Sequence, residues 1–576
     1  MQDPACIGRL ERHGRGYRHR CVKSANASHA AVSTRRPMST IMTILAFLLA
    51  VALSGPLARA LRMPLPLMQI ALGYGIAEYT GESVELNPEV FFLLLLPPLL
   101  FLDGWRIPKD GLFRDKGTII GLALGLVVFT VLGLGVFLHW MIPAMPWAVA
   151  FALAAILSPT DPIAVSAIAS RTPIPHRLMH ILEGESLLND ASGLVCMRFA
   201  VAAALTGSFS LAQAALEFVW VALAGLAVGV LASWGVTRAL DLVQRRIGED
   251  AGSSILVGLL TPFAAYLAAE AMEASGILAA VAAGISMALM ESTRLLASTR
   301  VQRRAFWDTV QFAANGVIFV LLGEQLPALV DGAIQVVGET GHASPWWLAV
   351  YVAGVVGALA ALRYAWVAAS MRISAWNARR RGQPHPGIDQ RVIAAMSLAG
   401  VRGAVTLAGI LTLPLMLDDG SPFPARDLAI FLAAGVILAS LLIASFALPR
   451  LLRNIPSDTS HGAETPARRT AAAAGLRAIE DHASEDASQR ADPELYAAIA
   501  AHLAEDYRRR AGRGESREGH TEHPPRADDI ERELRLVGVA AERRALAQLR
   551  RERGIDDASY QKLIRELDLA ELRWRG

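Results

Sequence analysis

The chain has 576 residues, of which 53% are hydrophobic and 19% are charged, and its mean hydropathy is +0.38. A water-soluble globular protein of this size rarely combines these values, so the composition argues against a soluble protein and indicates a membrane protein. The net charge of +3 says little by itself, and three cysteines without a C-x-x-C pair indicate neither a disulfide framework nor a redox or zinc site.

The predicted fold class is an all-α membrane protein with about thirteen transmembrane helices. A helix needs roughly 20 residues to cross a hydrocarbon core about 30 Å thick. The predicted spans cover residues 39–59, 63–77, 88–104, 117–138, 147–168, 180–206, 212–237, 253–271, 275–290, 304–326, 346–369, 391–416 and 426–447. We therefore predict a basic extension at 1–38, a transmembrane domain at 39–450 and a mostly helical tail at 451–576, where apolar runs give way to Ala, Arg and Glu.

The distribution of Lys and Arg predicts the topology. Every second loop between the predicted spans is basic, whereas the intervening loops carry almost no positive charge apart from Arg426. Because cytoplasmic loops hold the excess of Lys and Arg, the C-terminus is predicted to be cytoplasmic. Residues 1–38 would then place their arginines outside, and a start at Met38 or Met42 would remove that conflict, so they are left out of the fold prediction.

The fifth span contains a sequence that is costly inside a membrane helix, Ser158-Pro159-Thr160-Asp161-Pro162. Each proline removes an N–H donor and frees a carbonyl four residues back, and a residue before proline avoids helical dihedral angles. We expect the helix to unwind here, because free carbonyls and a carboxylate at membrane depth are tolerated where they face a cavity or an ion. A simple proline kink is the alternative, but a kink does not require Asp161.

The sixth span carries three carboxylates within eight residues, Glu183, Glu185 and Asp190. A charge at the bilayer centre costs roughly 2.5 to 3.5 kcal/mol on insertion scales, so three need a purpose. Asp190 is the deepest, about 15 Å from the predicted cytoplasmic end. Helical spacing places Ser186 beneath Asp190 and Glu185 beneath Asn189, so one face offers oxygens that suit a hard, weakly held cation.

This arrangement predicts competition between two ions. Burial raises the pKa of a carboxylate and a nearby cation lowers it, so sodium and a proton are expected to exclude each other at Asp190. That competition couples the two fluxes without a separate proton pathway. The alternative, a solvated charge in the membrane interface, is open for Glu183 and is not expected for Asp190.

The twelfth span carries Arg402 in mid-membrane between Gly400 and Gly403. A lone buried guanidinium would be costly, so we expect Arg402 to pair with Asp161 or Glu185 and to leave the deepest carboxylate free to titrate. The glycines should loosen this helix as the prolines loosen the fifth. This fits two inverted halves whose broken helices meet near the midplane.

Two further arginines are embedded in predicted spans. Arg363 lies near the inner end of its span, and we expect its side chain to snorkel to the interface. Arg198 follows Asp190 by eight residues, and both a second counter-charge and a structural ion pair are open for it.

Together these motifs resemble the NhaP-type branch of the sodium/proton antiporters. The resemblance rests on Ser158 to Pro162, Gly184 to Asp190 and Val401 to Gly403, with Leu96 to Phe101 and Ser275 to Ala279 in support, and covers about residues 42–450. It implies a thirteen-helix inverted-repeat fold with two broken, crossing helices, a homodimer held by its membrane helices, and an elevator-like transport step. The basic extension and the tail lie outside this pattern, and the tail matches no ligand-binding domain that we recognise.

The resemblance also implies the site. At the matching positions the cation is held by Asp190, Glu185, Ser186 and the main chain around Thr160. Asp161 is assigned to the same ion- and proton-binding set, in support of these residues. The other supporting residues are Asn189, Arg402, Pro159, Pro162, Gly400 and Gly403. Electrogenic relatives carry Asp-Asp where this chain has Asn189-Asp190, so the resemblance implies electroneutral one-for-one exchange.

The expected function is antiport of Na⁺ for H⁺ across the plasma membrane, with the lipid bilayer as surroundings and without a cofactor or a nucleic-acid partner. A cation channel or an ion-sensing membrane protein is the first alternative, and a sodium-coupled symporter for an organic solute is the second. Broken helices at the midplane favour a transporter, and aromatic residues do not cluster around the site as an organic solute would require. An enzyme is least expected, because the tail shows no metal-ligand cluster or nucleophile motif. Sodium, potassium and lithium are left undecided, since all three accept carboxylate and carbonyl oxygens.

Overall fold

The structure is a computed structural model. It describes residues 42–80, 88–106, 116–161, 176–206, 211–248, 250–291, 296–339, 346–380, 390–417, 421–452, 461–486, 493–513, 525–552 and 554–575. The described residues are almost entirely helical, with an isolated β-bridge between Met416 and Pro422. The predicted basic extension at 1–38 lies outside them.

Most described helices belong to the region predicted to lie in the membrane. They are α1 Met42–Ala60, α2 Leu65–Thr80, α3 Pro88–Arg106, α4 (Lys116–Ile120, a π-helical turn at Gly121–Leu126, and Val127–Met141), α5 Trp147–Leu157, α6 His176–Thr206, α7 Leu211–Ile247, α8 Ala251–Glu270, α9 Gly276–Glu291, α10 Ala297–Glu339, α11 Trp346–Arg380, α12 Gln390–Leu398, α13 Ala404–Leu411 and α14 Arg426–Leu452. Within the described residues, eight helices are long and apolar enough to cross a membrane. The predicted all-α membrane fold is thus confirmed, whereas the count of thirteen spans stays a prediction.

The chain divides into two compact units, the smaller comprising residues 1–85 and Phe319–Ala328. Its described helices approach closely through glycines: a Cβ on Gly73 would lie 1.8 Å from the Val320 carbonyl oxygen, and one on Gly323 would lie 2.0 Å from that of Ile70. Small residues allow this approach between membrane helices, where dispersion contacts replace the hydrophobic driving force.

The larger unit comprises residues 86–318 and 329–576 and contains two helix bundles in its membrane part. The companion bundle consists of α3, α7, α8, α9 and the first part of α10. Its core is rich in alanine, which lets the helices pack closely. The buried residues are Phe101, Leu102, Ala265, Ala269, Ala274, Ala279, Ala283, Met287 and Trp307.

The crossing bundle consists of α4, α5, α6 and α11 to α14. Helix α5 lies at its centre, and residues 152–157 are fully buried. An apolar helix of eleven residues without a polar face is typical of such a central position. The two bundles meet where α6 and α13 pack against α3 and where α6 packs against α9.

The tail forms four helices, α15 His461–Asp486, α16 Pro493–Arg513, α17 Pro525–Arg551 and α18 Asp557–Arg575. Buried apolar residues on α16 recur every three or four positions, at Tyr496, Ala500, Leu503 and Tyr507. This spacing gives one apolar face per helix. The faces meet in two hydrophobic clusters, one shared by α15, α16 and α17 and one shared by α15, α17 and α18.

Candidate functional site

The fifth predicted span is broken where its prolines predict. Helix α5 ends at Leu157, and residues 158–161 continue without helical structure. Pro159 cannot donate a backbone hydrogen bond, which favours an end to the helix at this point. Pro162 lies outside the described residues.

The twelfth predicted span is broken as well, and the two breaks meet. Helix α12 ends at Leu398 and α13 begins at Ala404, with non-helical backbone between them. The backbone N–H of Asp161 donates to the carbonyl of Val401 over 2.7 Å. The two broken, crossing helices expected from the sequence are therefore confirmed.

Asp161 and Gly403 are in close contact at this crossing. A Cβ on Gly403 would lie 1.7 Å from Asp161 Oδ2 and 2.6 Å from its Cβ. Gly403 is also the residue before the first turn of α13. A carboxylate at a helix N-terminus interacts favourably with the partial positive charge of the free N–H groups. Asp161 therefore compensates the partial positive charge at the N-terminus of α13.

Gly403→Ala is expected to abolish transport, because the new methyl group must displace the whole Asp161 side chain and open the crossing. Gly357→Ala is the matched control, since nothing lies within 4 Å of a Cβ at that position in α11. Cation-dependent proton flux in liposomes measures both variants. Wild-type flux from Gly403→Ala would contradict a required close approach at the crossing.

Arg402 occupies the other side of the crossing, and the prediction that it pairs with Asp161 or Glu185 is wrong. Its Nε donates to the carbonyl of Leu157 over 2.8 Å, and its Nη1 donates to the carbonyl of Gly400. Leu157 is the last residue of α5, where helix carbonyls lack partners and carry partial negative charge. The guanidinium therefore compensates the C-terminal end of α5, and the charge of Glu185 acts on it without a direct hydrogen bond or ion pair.

Glu185 pairs with Arg363. Arg363 Nη2 donates to Glu185 Oε2 over 2.7 Å and Nη1 donates to Oε1, and both side chains are at most 3% exposed. Arg363 Nε also donates to the carbonyl of Met396 over 2.9 Å. The prediction that Arg363 snorkels is therefore wrong, because a buried carboxylate on α6 holds its guanidinium inside the bundle.

Thr160 connects the unwound segment to α6. Its carbonyl accepts a hydrogen bond from Ser186 Oγ over 2.7 Å, and its hydroxyl accepts one from Asn189 Nδ2 over 3.1 Å. The same hydroxyl donates to Glu185 Oε1 over 3.3 Å. The structure thus brings together four of the residues singled out in the sequence, and all four are buried.

Asp190 lies one helical turn beyond Ser186 and is 6% exposed. Within the described part of the chain, its carboxylate accepts no hydrogen bond and forms no ion pair. Ser158 Oγ and Asn189 Oδ1 are also buried without a hydrogen-bond partner among the described residues. Unsatisfied buried oxygens are costly unless something else binds them.

Asp103 is a site residue that the sequence reasoning missed. It lies on α3 of the companion bundle. Asp103 and Asp161 both lie close enough to Asp190 for their negative charges to repel its carboxylate. Glu183 in turn acts on Asp103. Asp103 is the sole acidic residue of predicted span 88–104 after its first three residues, so an embedded carboxylate was visible in the sequence.

Arg198 forms a structural ion pair, one of the two roles left open for it. Its Nη2 lies 3.0 Å from Glu270 Oε1 on α8, and the two side chains are 48% and 33% exposed. Glu270 also accepts the backbone N–H of Gly276 over 3.3 Å. This pair therefore joins the two bundles away from the crossing.

Comparison with known proteins finds sodium/hydrogen exchangers and related antiporters. Residues 45–454 match the family model "Sodium/hydrogen exchanger, transmembrane". An uncharacterised Na⁺/H⁺ exchanger of Escherichia coli, YjcE, is 39% identical over 549 residues, which cover 93% of this chain and 98% of the relative. A sodium, potassium, lithium and rubidium/H⁺ antiporter of Bacillus subtilis is 44% identical over 426 residues, covering 72% of this chain and 62% of the relative.

The fold is similar to that of the sodium proton antiporter MjNhaP1 from Methanocaldococcus jannaschii. The TM-score is 0.57 at 18% sequence identity, and the match covers 73% of this chain and 99% of MjNhaP1. The family model and the E. coli relative extend over the whole region that contains both broken helices. The chain therefore belongs to the sodium/hydrogen exchanger family.

Proposed function

We propose that this protein is a secondary antiporter that exchanges Na⁺ for H⁺ by competition of the two ions at Asp190. Its family membership supports sodium/proton exchange. The observation that carries the competition step is the Asp190 carboxylate, which is 6% exposed and has no hydrogen bond or ion pair within the described residues. A buried carboxylate without an internal partner requires either a proton or a cation.

The neighbouring charges support this assignment to Asp190 and not to Glu185. Both oxygens of Glu185 accept hydrogen bonds from Arg363, so its charge is already compensated. The negative charges of Asp103 and Asp161 act on Asp190 without compensating it. A cation therefore gains more at Asp190 than at Glu185, although Glu185, Ser186 and Thr160 stay predicted contributors to the cation site.

The buried unpaired oxygens give the cation further ligands. Asn189 Oδ1 and Ser158 Oγ flank the unwound segment and lack partners among the described residues. Oxygen atoms are the ligands that hard cations prefer. Because the B. subtilis relative is named for sodium, potassium, lithium and rubidium, we extend the proposal to these cations as substrates.

Exchange is proposed to be electroneutral and to involve sliding of the crossing bundle past the companion bundle. Asn189 donates its amide to Thr160 and does not titrate, which leaves one titrating group in the Asn189-Asp190 pair. The crossing bundle carries Asp161 and Asp190, whereas Asp103 lies on the companion bundle. Relative movement of the bundles would therefore change the charges around Asp190.

The membrane location, the orientation of the tail and the oligomeric state are proposed from the sequence. The alternation of basic loops supports a multi-pass membrane protein with a cytoplasmic tail, and we place it in the plasma membrane as part of the same proposal. A homodimer held by its membrane helices is proposed from the family resemblance alone.

The test uses purified protein in liposomes with an imposed pH gradient, followed by internal pH after addition of Na⁺, Li⁺, K⁺ or Rb⁺. Collapse of the gradient by Na⁺ at a rate that does not depend on a clamped membrane potential is expected. A rate that changes with potential would overturn electroneutrality. If no cation moves protons, a channel or an ion sensor is the better description.

A further inference from the structure

The last helix of the tail is bound to the beginning of α10. Arg300 Nε donates to Asp568 Oδ2 over 3.0 Å, and its Nη2 donates to Oδ1. The Asp568 side chain is 6% exposed and that of Arg300 is 17% exposed. Bidentate arginine–carboxylate pairs with little exposure are among the stronger polar contacts in proteins.

The tail holds Asp568 in position for this contact. Arg543 on α17 lies 2.8 Å from Asp568 Oδ1 and 2.5 Å from Glu571 Oε2, one turn further along α18. Because Glu571 shares in compensating the charge of Arg543, the negative charge of Asp568 is not fully neutralised within the tail and can also compensate Arg300.

Four arginines lie at the C-terminal end of α3 and in the first turns of α10. We call this group, Arg106, Arg300, Arg303 and Arg304, the arginine rim. Arg106 pairs with Asp308 and donates to Gln311 over 2.6 Å, and Arg303 lies 5.0 Å from the Trp105 ring. Arg304 is repelled by the positive charges of Arg106 and Arg565 and attracted by the negative charges of Asp308 and Asp568. The rim is thus a site of concentrated positive charge.

One member of the rim, Arg106, lies next to a carboxylate of the candidate site. Asp103 precedes Arg106 by three residues on α3, one turn away, and the charge of Arg106 acts on it. Asp103 in turn acts on Asp190. Positive charge at this end of α3 lowers the local concentration of any cation that approaches Asp190 from this side.

We propose that α18 docks on the arginine rim through Asp568, and that this carboxylate, by neutralising Arg300, sustains cation access to Asp190 from the side of the membrane that carries the tail. The inference rests on the proposed function. It gives the tail a role as a bound electrostatic element of the transporter, with Asp568 as a positioning residue that acts through Arg300.

The test compares Asp568→Asn with Glu566→Gln in the full-length protein. Glu566 lies on α18 as well and accepts two hydrogen bonds from one arginine, but that arginine, Arg468, lies on α15 within the tail. Hydrogen–deuterium exchange over residues 297–308 is expected to become about fivefold faster in Asp568→Asn, because α10 loses a charge-assisted contact. Glu566→Gln should leave this segment as in the wild type.

Transport provides the second measurement. At low ionic strength Asp568→Asn is expected to raise the cation concentration for half-maximal exchange about two- to threefold at an unchanged maximal rate. Choline chloride should reduce this difference by screening. Arg300→Gln combined with Asp568→Asn should restore the wild-type value, because the uncompensated positive charge is then gone.

The outcomes separate this inference from the proposed function. Unchanged hydrogen exchange over 297–308 in Asp568→Asn would overturn the bound tail whether or not the protein transports. Faster hydrogen exchange together with unaltered half-saturation, or a double variant as impaired as Asp568→Asn, would overturn the electrostatic role. Failure of wild-type exchange would overturn the proposed function and leave the docking result to stand on hydrogen exchange alone.

Discussion

Asp190→Asn is expected to reduce cation-driven proton flux to that of empty liposomes while the protein still folds and inserts. The substitution keeps the shape of the side chain and removes the charge for which Na⁺ and H⁺ compete. Because Asp190 is buried without an internal partner among the described residues, no contact is lost, and the thermal stability should stay equal or rise. Flux assays and a thermal unfolding curve on the same preparation measure both effects.

Glu183→Gln is the control for Asp190→Asn, since both remove one carboxylate from α6. Glu183 is partly exposed, and its replacement is expected to leave substantial exchange activity. Normal exchange by Asp190→Asn would refute competition at this residue. An equal loss in both variants would show that the summed negative charge matters more than the position of Asp190.

Glu185→Gln and Arg363→Gln are each expected to destabilise the protein by about 3 to 5 kcal/mol, because each leaves an uncompensated charge in the interior. The two partners are 0% and 3% exposed, so solvent cannot replace the lost partner. The double variant leaves no uncompensated charge from this pair and should recover most of the stability. Thermal or denaturant unfolding in lipid nanodiscs measures the three variants.

Arg198→Gln provides the matched control for this pair. Its partner Glu270 is 33% exposed and Arg198 is 48% exposed, so solvent compensates both charges and a change below about 1 kcal/mol is expected. A double Glu185→Gln and Arg363→Gln variant as unstable as the single variants would contradict a purely electrostatic cost and indicate a role of the hydrogen bonds to Thr160 and Met396.

The breaks in the two crossing helices were predictable from sequence because their causes are local. Pro159 lacks the N–H that a helix requires, and Gly400 and Gly403 flank a charged residue in an apolar segment. The carboxylates of α6 were predictable for a similar reason, since a charge within an apolar span is visible without any partner. These features suffice to indicate a membrane transporter with an ion site near the broken helices.

The choice of partners was decided by the tertiary structure. From the sequence, Arg402 was expected to pair with Asp161 or Glu185 because it lies in mid-span, and Arg363 was expected to snorkel because it lies near the inner end of its span. In the structure, α11 brings Arg363 to Glu185, while the end of α5 occupies Arg402 with a free carbonyl. Ion pairs between helices distant in sequence depend on which helix faces meet, and periodicity does not determine this.

The sequence by itself determined the membrane class, the two interruptions and the carboxylate expected to exchange ions, because hydropathy, proline chemistry and buried charge are properties of short segments. Tertiary structure alone added Asp103 to the surroundings of Asp190 and brought Asp568 of the tail to Arg300. Both depend on packing between helices far apart in the chain. Long-range packing sets the electrostatic field in which a locally visible residue such as Asp190 operates.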